Sequence, residues 1–248
     1  MSNKSVNEDT KMSFDIAIDF SPIIGSSGDD NLNGSSGDDL IIGQGGNDTI
    51  IAAGGDDILL LSGGGNNDAS GGAGNDIISD GQGNSTLKGS NGDDLITAGA
   101  GADLAFGGFD NDTIYGEAGN DSIYGNNGDD FLSGGLGNDF LNGNNDNDIL
   151  EGDEGKDTLQ GGNGDDTLTG GQGEDQFFYN LATYDRVTDT ITDFETGLDT
   201  IKLGASSNFT VAISNDGTNF FVTATNNSSG DSFDVFVSAS EIVESDIV

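Results

Sequence analysis

The chain has 248 residues and carries 45 Asp and Glu against six Lys and Arg, a formal net charge of -39 at pH 7. It has neither Cys nor His, which excludes disulfides, thiolate zinc sites, a cysteine nucleophile and every triad or base built on imidazole. Such a charge repels nucleic acid and anionic lipid alike, and it strains any compact state unless something neutralises it.

Residues 1–24 open with MSNKSVNEDTKMSFD, which lacks the apolar core of a Sec-type signal. Within them Phe14 to Phe20 alternate like a strand, so the segment is expected to supply one capping or packing strand. From Gly25 to Phe178 the chain reads in nines, as in GEAGNDSIY (116–124), GNNGDDFLS (125–133) and GGLGNDFLN (134–142). Units begin at 25, 34, 43 and 52, Leu61 breaks phase as one inserted residue, and units resume at 62 and run to the one starting at 170. Of these seventeen units, fifteen have Asp at the sixth position, the exceptions being Asn67 and Ser85, and all have an apolar eighth residue.

Each position implies a task. Gly at the first and fourth positions is expected to serve turns that a Cβ would forbid. Residues seven to nine form a short strand of which only the eighth points inward. Two units make an eighteen-residue coil that cannot bury its own core and is stable only when stacked on neighbours. The fold class is therefore all-β: a parallel β-roll, a two-sided solenoid about 40 Å long at about 4.8 Å per coil. Stacking sets the Asp carboxylates of units n and n+2 side by side, and like charges at that separation need a cation between them. Oxygen donors without nitrogen or sulfur favour Ca2+, and Mg2+ is disfavoured by its stricter octahedron.

Residues 179–248 are expected to form a C-terminal β cap. FTVAIS (209–214), FFVTAT (220–225) and FDVFVS (233–238) are rich in aromatic and β-branched residues and lie between turn sequences, which reads as antiparallel strands. Such a cap protects the open edge and core of the last coil. No stretch of the chain is long and apolar enough to span a membrane as a helix, so neither membrane insertion nor nucleic-acid binding is expected.

The pattern GGxGxDx(apolar)x resembles the calcium β-roll nonapeptide of the repeats-in-toxin (RTX), or haemolysin-type, proteins. The resemblance covers 25–178 and implies that each Ca2+ lies between the loops of units n and n+2, held by two sixth-position Asp side chains and backbone carbonyls. The ligands so implied are Asp30, Asp39, Asp48, Asp57, Asp76, Asp94, Asp103, Asp112, Asp121, Asp130, Asp139, Asp148, Asp157, Asp166 and Asp175. Beyond the roll, DTITDFETGLDTIKL (189–203) is similar to the cap of secreted serralysin-type proteases and lipases, with Asp193, Phe194, Gly197, Asp199 and Ile201 in matching places. Glu244-Ser245-Asp246-Ile247-Val248 resembles an uncleaved type I export signal. The catalytic domain that those enzymes carry ahead of the roll has no counterpart in the 24 residues before the first unit.

Twelve loop pairs two units apart have Asp on both sides, which implies about twelve strong Ca2+ sites. The pairs Asp48/Asn67, Asn67/Ser85 and Ser85/Asp103 do not, and weak or vacant sites are expected there. Asp110 and Asp146 replace the fourth-position Gly, which implies left-handed backbone at both. In even-numbered units the seventh, outward residue forms an apolar column through Leu40, Ile58, Ile77, Leu95, Phe131 and Ile149. Either the chain's own ends cover that column or it meets a second copy or a surface partner. The function these features imply is that of a secreted or cell-surface calcium-binding protein, not an enzyme, that folds on meeting extracellular Ca2+. Its expected partners are calcium ions and a type I exporter. The alternative is a polysaccharide-active enzyme, or an ice or polysaccharide surface binder, built on the roll.

Overall fold

Each unit contributes one short strand, and the strands sort by the parity of their unit into two sheets. The computed structural model describes residues 21–180, 188–204, 209–215, 220–226, 232–237 and 247. Among these the fold is all β, with no helix, and hence no helix long and apolar enough to cross a membrane. Strands of even units pair in parallel in one sheet and those of odd units in the other. The register advances by two units at a time, as in Leu40↔Ile58, Ile114↔Leu132 and Leu141↔Leu159. This is the expected parallel β-roll.

The alternation of the strands places the core. Eighth-position residues of both sheets, from Ile41 and Ile50 to Leu168 and Phe177, are fully buried between the sheets. Ala69 and Ala105 hold the same inward place with less volume. The seventh-position column lies in unbroken register on the outer face of the even sheet. There Ile58, Ile77, Leu95 and Ile149 are exposed, while Leu40 and Phe131 are half-buried.

Two details differ from the sequence expectation. Left-handed backbone falls on the second and fourth positions of the loop, not the first. Gly72 (φ +120°), Gly108 (φ +135°) and the non-glycines Ser90, Glu117, Asn126, Asn144 and Asp153 hold the second, and Asp110 (φ +73°) and Asp146 (φ +76°) share the fourth with glycines. First-position glycine answers a different need, close approach, described below. The phase break also resolves differently. Leu61 stays in its strand, paired with Asp80 and fully buried, in the inward place that glycine takes in most units. The extra residue is absorbed by the turn that follows, where Gly64 and Gly65 both have positive φ.

The solenoid extends beyond the nonapeptides at both ends. Ile23–Ile24 pairs in parallel with Leu40–Ile42. Downstream, Thr188–Ile191 and Thr200–Leu203 stack on the last strand of each sheet, with Leu168↔Ile191 and Phe177↔Ile201 in core register. Ser232–Val237 then pairs in parallel with Thr188–Ile191 and begins the expected antiparallel cap with Phe220–Asn226 and Phe209–Asn215. Phe194 packs against Phe177 under this end, and Ile247 bridges to Ile201. The alternating stretch Phe14 to Phe20, and Glu244 to Asp246 with Val248, lie outside the described residues.

Candidate metal sites

The sixth-position residue ends each loop and turns its side chain back into it, where the coil two units earlier lies within reach. One carboxylate oxygen of each Asp accepts the backbone N–H of the sixth residue of that earlier coil. On the even edge the ladder runs from Asp39 N–H to Asp57 Oδ1 (2.7 Å) through Asp112 N–H to Asp130 Oδ1 (2.7 Å) and Asp148 N–H to Asp166 Oδ1 (2.9 Å). On the odd edge it runs from Asp30 N–H to Asp48 Oδ1 (3.0 Å) to Asp157 N–H and Asp175 Oδ1 (2.9 Å). Of the fifteen implied ligands, thirteen are buried, and only Asp30 and Asp39 of the first two loops are not.

The second carboxylate oxygen defines the site. In Asp57, Asp76, Asp94, Asp103, Asp112, Asp121, Asp130, Asp139, Asp148, Asp157 and Asp175 the Oδ2 atom is buried without a hydrogen-bond partner. A buried carboxylate oxygen left so is costly unless a cation meets it. Where the first residue of the loop is glycine, the Oδ2 atom points at it. A methyl built on Gly134 would sit 2.5 Å from Asp139 Oδ2 and 2.8 Å from the Gly152 carbonyl oxygen. Gly116 and Gly152 stand in the same relation to Asp121 and Gly134, and to Asp157 and Gly170. Glycine there leaves a cradle of oxygens, and the buried Ala52 and Ala98 show that two loops admit a methyl. Among the described residues no three carboxylates converge on one point, and the atoms that most closely border the cradles at Gly116, Gly134 and Gly152 are carboxylate and carbonyl oxygens. That all-oxygen, flexible donor set suits Ca2+.

Burial, ahead of the neighbouring carboxylates, raises the acidity constants along both edges, and the ladder N–H groups only partly offset it. Asp148 is pushed up to about 9 and Asp112 to about 8, with Asp94, Asp121, Asp130 and Asp157 at about 7. The stacked loops therefore resist full ionisation at neutral pH, as an anionic cage without its counter-charge must.

The sequence pattern missed several members of this arrangement. Asp189, fully buried, accepts the Asp166 N–H (3.1 Å), and Asp199 accepts that of Asp175 (3.0 Å), so both ladders run on into the cap. The signal was legible: Asp189-Thr190-Ile191 and Asp199-Thr200-Ile201 repeat the Asp112-Thr113-Ile114 of the roll, and Gly197 (φ +81°) precedes Asp199 as the fourth-position glycine precedes Asp in the roll. Asp193 accepts the N–H groups of Gly170 (2.9 Å) and Gly171 (2.8 Å), closing the last nonapeptide loop. The fifth position forms an outer ladder of opposite sense. Asp129 Oδ1 accepts the Asn147 N–H (2.9 Å) and Asn147 Oδ1 the Asp165 N–H (2.9 Å). Asp30 and Asp39 differ from the inner loops, since their Oδ2 atoms accept the N–H of Ser26 (2.5 Å) and Ser35 (2.6 Å) in the same loop.

The model of the RTX calcium-binding nonapeptide repeat (4 copies) matches residues 24–59, 61–84, 70–105, 81–114, 106–141 and 142–177. The one break between matches falls beside Leu61. Among solved structures, the chain is similar to the solution structure of the AlgE6R3 subunit from the Azotobacter vinelandii mannuronan C5-epimerase, at 22% identity. That match covers 62% of this chain and 78% of the other, with a TM-score of 0.26. No curated protein matches the chain.

Proposed function

The chain belongs to the RTX calcium-binding nonapeptide repeat family, and from that premise we propose that it is a secreted, non-enzymatic protein whose roll folds on binding Ca2+. Its role would be structural, adhesive or scaffolding, outside the cell or at its surface. The observation that carries this reading is the double file of buried Asp Oδ2 atoms without hydrogen-bond partners. Sixth-position Asp residues two units apart, with first-position carbonyls, would hold the ions, about twelve of them along the intact pairs. Bound calcium would supply the positive charge that these oxygens lack.

The remaining work belongs to the chain. The ladder N–H groups fix each carboxylate by its Oδ1 atom and leave Oδ2 to the cradle. The inward Leu and Ile residues bury apolar surface only once coils stack, and stacking is what brings the carboxylates together. Ligand assembly and core burial are thus one event, and calcium binding free energy becomes folding free energy. Below extracellular calcium levels the acidic chain would stay expanded, a state suited to a type I exporter, and it would fold outside. Circular dichroism with millimolar Ca2+ and with excess chelator tests this. Strong β signal with calcium and its loss with chelator is the expected result, and equal β content in both conditions would refute the proposal.

A further inference from the structure

One stretch of the odd edge does not fit an ion. At Gly43 a built methyl would meet Asp48 Oδ2 at 2.5 Å and Leu61 Cδ2 at 3.1 Å, whereas at Gly25, Gly34 and Gly134 it would meet a carbonyl oxygen beside the carboxylate. An apolar side chain thus lies next to the Asp48 carboxylate. One junction further on, the loop of residues 80–88 has exchanged its end residues: Asp80 stands in the first position and Ser85 in the sixth. The Ser85 side chain is too short to enter the cradle, and Asp80 enters from the opposite end of the loop. Its Oδ2 accepts the Ser85 hydroxyl, and its Oδ1 accepts Asn67 Nδ2–H (3.0 Å) and the Gly81 N–H (2.8 Å). Asn67 N–H in turn donates to Ser85 Oγ (3.0 Å). All three residues are buried.

We propose that Leu61 and the Asn67–Asp80–Ser85 cluster form a calcium-free seam that joins the coils at residues 62–88 by direct hydrogen bonds. The inference rests on the calcium-binding reading of the other loops and concerns where that reading stops. Between inner loops such as those of Asp112 and Asp130, or Asp121 and Asp139, each of two stacked carboxylates has an oxygen left over. Here one carboxylate serves two loops, both its oxygens are satisfied, and the groups turned toward it are donors. A cation brought to this point would meet an amide N–H, a hydroxyl proton and a leucine methyl. The seam therefore interrupts the odd-edge array, leaving Asp30/Asp48 on one side and the run from Asp103 onward on the other.

Native mass spectrometry and amide hydrogen exchange on the full chain in Ca2+ test the seam. Asp80→Ala should leave the number of bound ions unchanged while the Gly81 amide, which donates to Asp80, exchanges at least tenfold faster. Loss of an ion, or unchanged exchange at the Gly81 amide, overturns the proposal. The triple change Asp80→Gly, Asn67→Asp and Ser85→Asp restores the common pattern and should gain at least one ion. An unchanged count would show that the seam is not what excludes the cation. If the native chain bound no calcium at all, the functional reading would fail, while the exchange comparison would still read the hydrogen bonds of the seam.

Discussion

The two edges of the roll are made from the same nonapeptide, yet one is a continuous anionic file and the other is interrupted. On the even edge every junction from Asp39 to Asp189 uses a carboxylate as ladder acceptor. On the odd edge Asn67 Oδ1 accepts the Asp48 N–H (2.9 Å) and Ser85 Oγ accepts that of Asn67, so the ladder passes through the seam without a carboxylate. The comparison separates two tasks that Asp performs together. Register between coils needs any short side-chain acceptor, whereas the second oxygen, which Asn and Ser lack as an anion, is what calls for a cation. The register of stacking and the demand for calcium therefore rest on different atoms of the same side chain, and a substitution can remove one without the other.

The largest effect expected from that separation is on pH dependence after calcium is chelated. Asp103 beside the seam is raised to about 6, whereas Asp112 and Asp148 of the even edge reach about 8 and 9, with burial the main cause in each. A carboxyl whose folded value lies above its unfolded value of about 4 opposes folding when ionised. The opposition is absent below about pH 4, grows as pH rises, and is complete only above the folded value. Without calcium, stacked β structure should thus be favoured near pH 5 and lost progressively toward pH 9, the even edge being the last to reach its full penalty. With calcium the trend should reverse, because protons and ions compete for the same oxygens. Circular dichroism across pH 5–9 in chelator reads this, and a chelated chain that gains β structure as pH rises would contradict it.

A smaller effect separates single loops. Asp130 belongs to two even-edge junctions, and Asp130→Asn keeps an acceptor for the Asp112 N–H while removing the anionic oxygen. It should lose one or two bound ions. Asn67→Ala on the odd edge should lose none. It should instead cost about 1–3 kcal/mol, because Asp80 is left short of a partner in a buried place. Ion counting and chemical denaturation in saturating Ca2+ distinguish the two, and an equal loss of ions would erase the difference between the edges.

Most of this was legible in the sequence because the repeat ties each position to one environment. Period nine gave the coil, the apolar eighth residue gave the core, and the sixth-position Asp gave the cage. What escaped was whatever the period does not carry. Asp80 was not singled out at all, since its partnership with Ser85 spans the two ends of one loop and that with Asn67 crosses coils. Leu61 read as an insertion because a sequence register assigns the extra residue to one place, while the backbone was free to absorb it in the next turn. The continuation through Asp189 and Asp199 was hidden by loops of other lengths. The first-position glycine was noticed but explained wrongly: its backbone is ordinary, and the need is for space beside a carboxylate.

The smallest effect concerns Asp110 and Asp146, which hold left-handed backbone at the fourth position of two even-edge loops. Their carboxylates also bear on the cage, Asp110 helping to raise Asp94 and Asp146 helping to raise Asp130, in both cases behind burial. Replacing both by Gly should relieve strain of about 1 kcal/mol at each, offset in part by the greater freedom of glycine in the unfolded chain. It also removes two negative charges that draw calcium to this edge. The chelated roll should therefore become slightly easier to stack, while even-edge affinity falls by less than about tenfold, that is, by under 1.4 kcal/mol. Calcium titration of Asp110→Gly/Asp146→Gly beside the native chain reads both changes. Tighter calcium binding in the variant would mean that strain at these loops, and not their charge, limits the even edge.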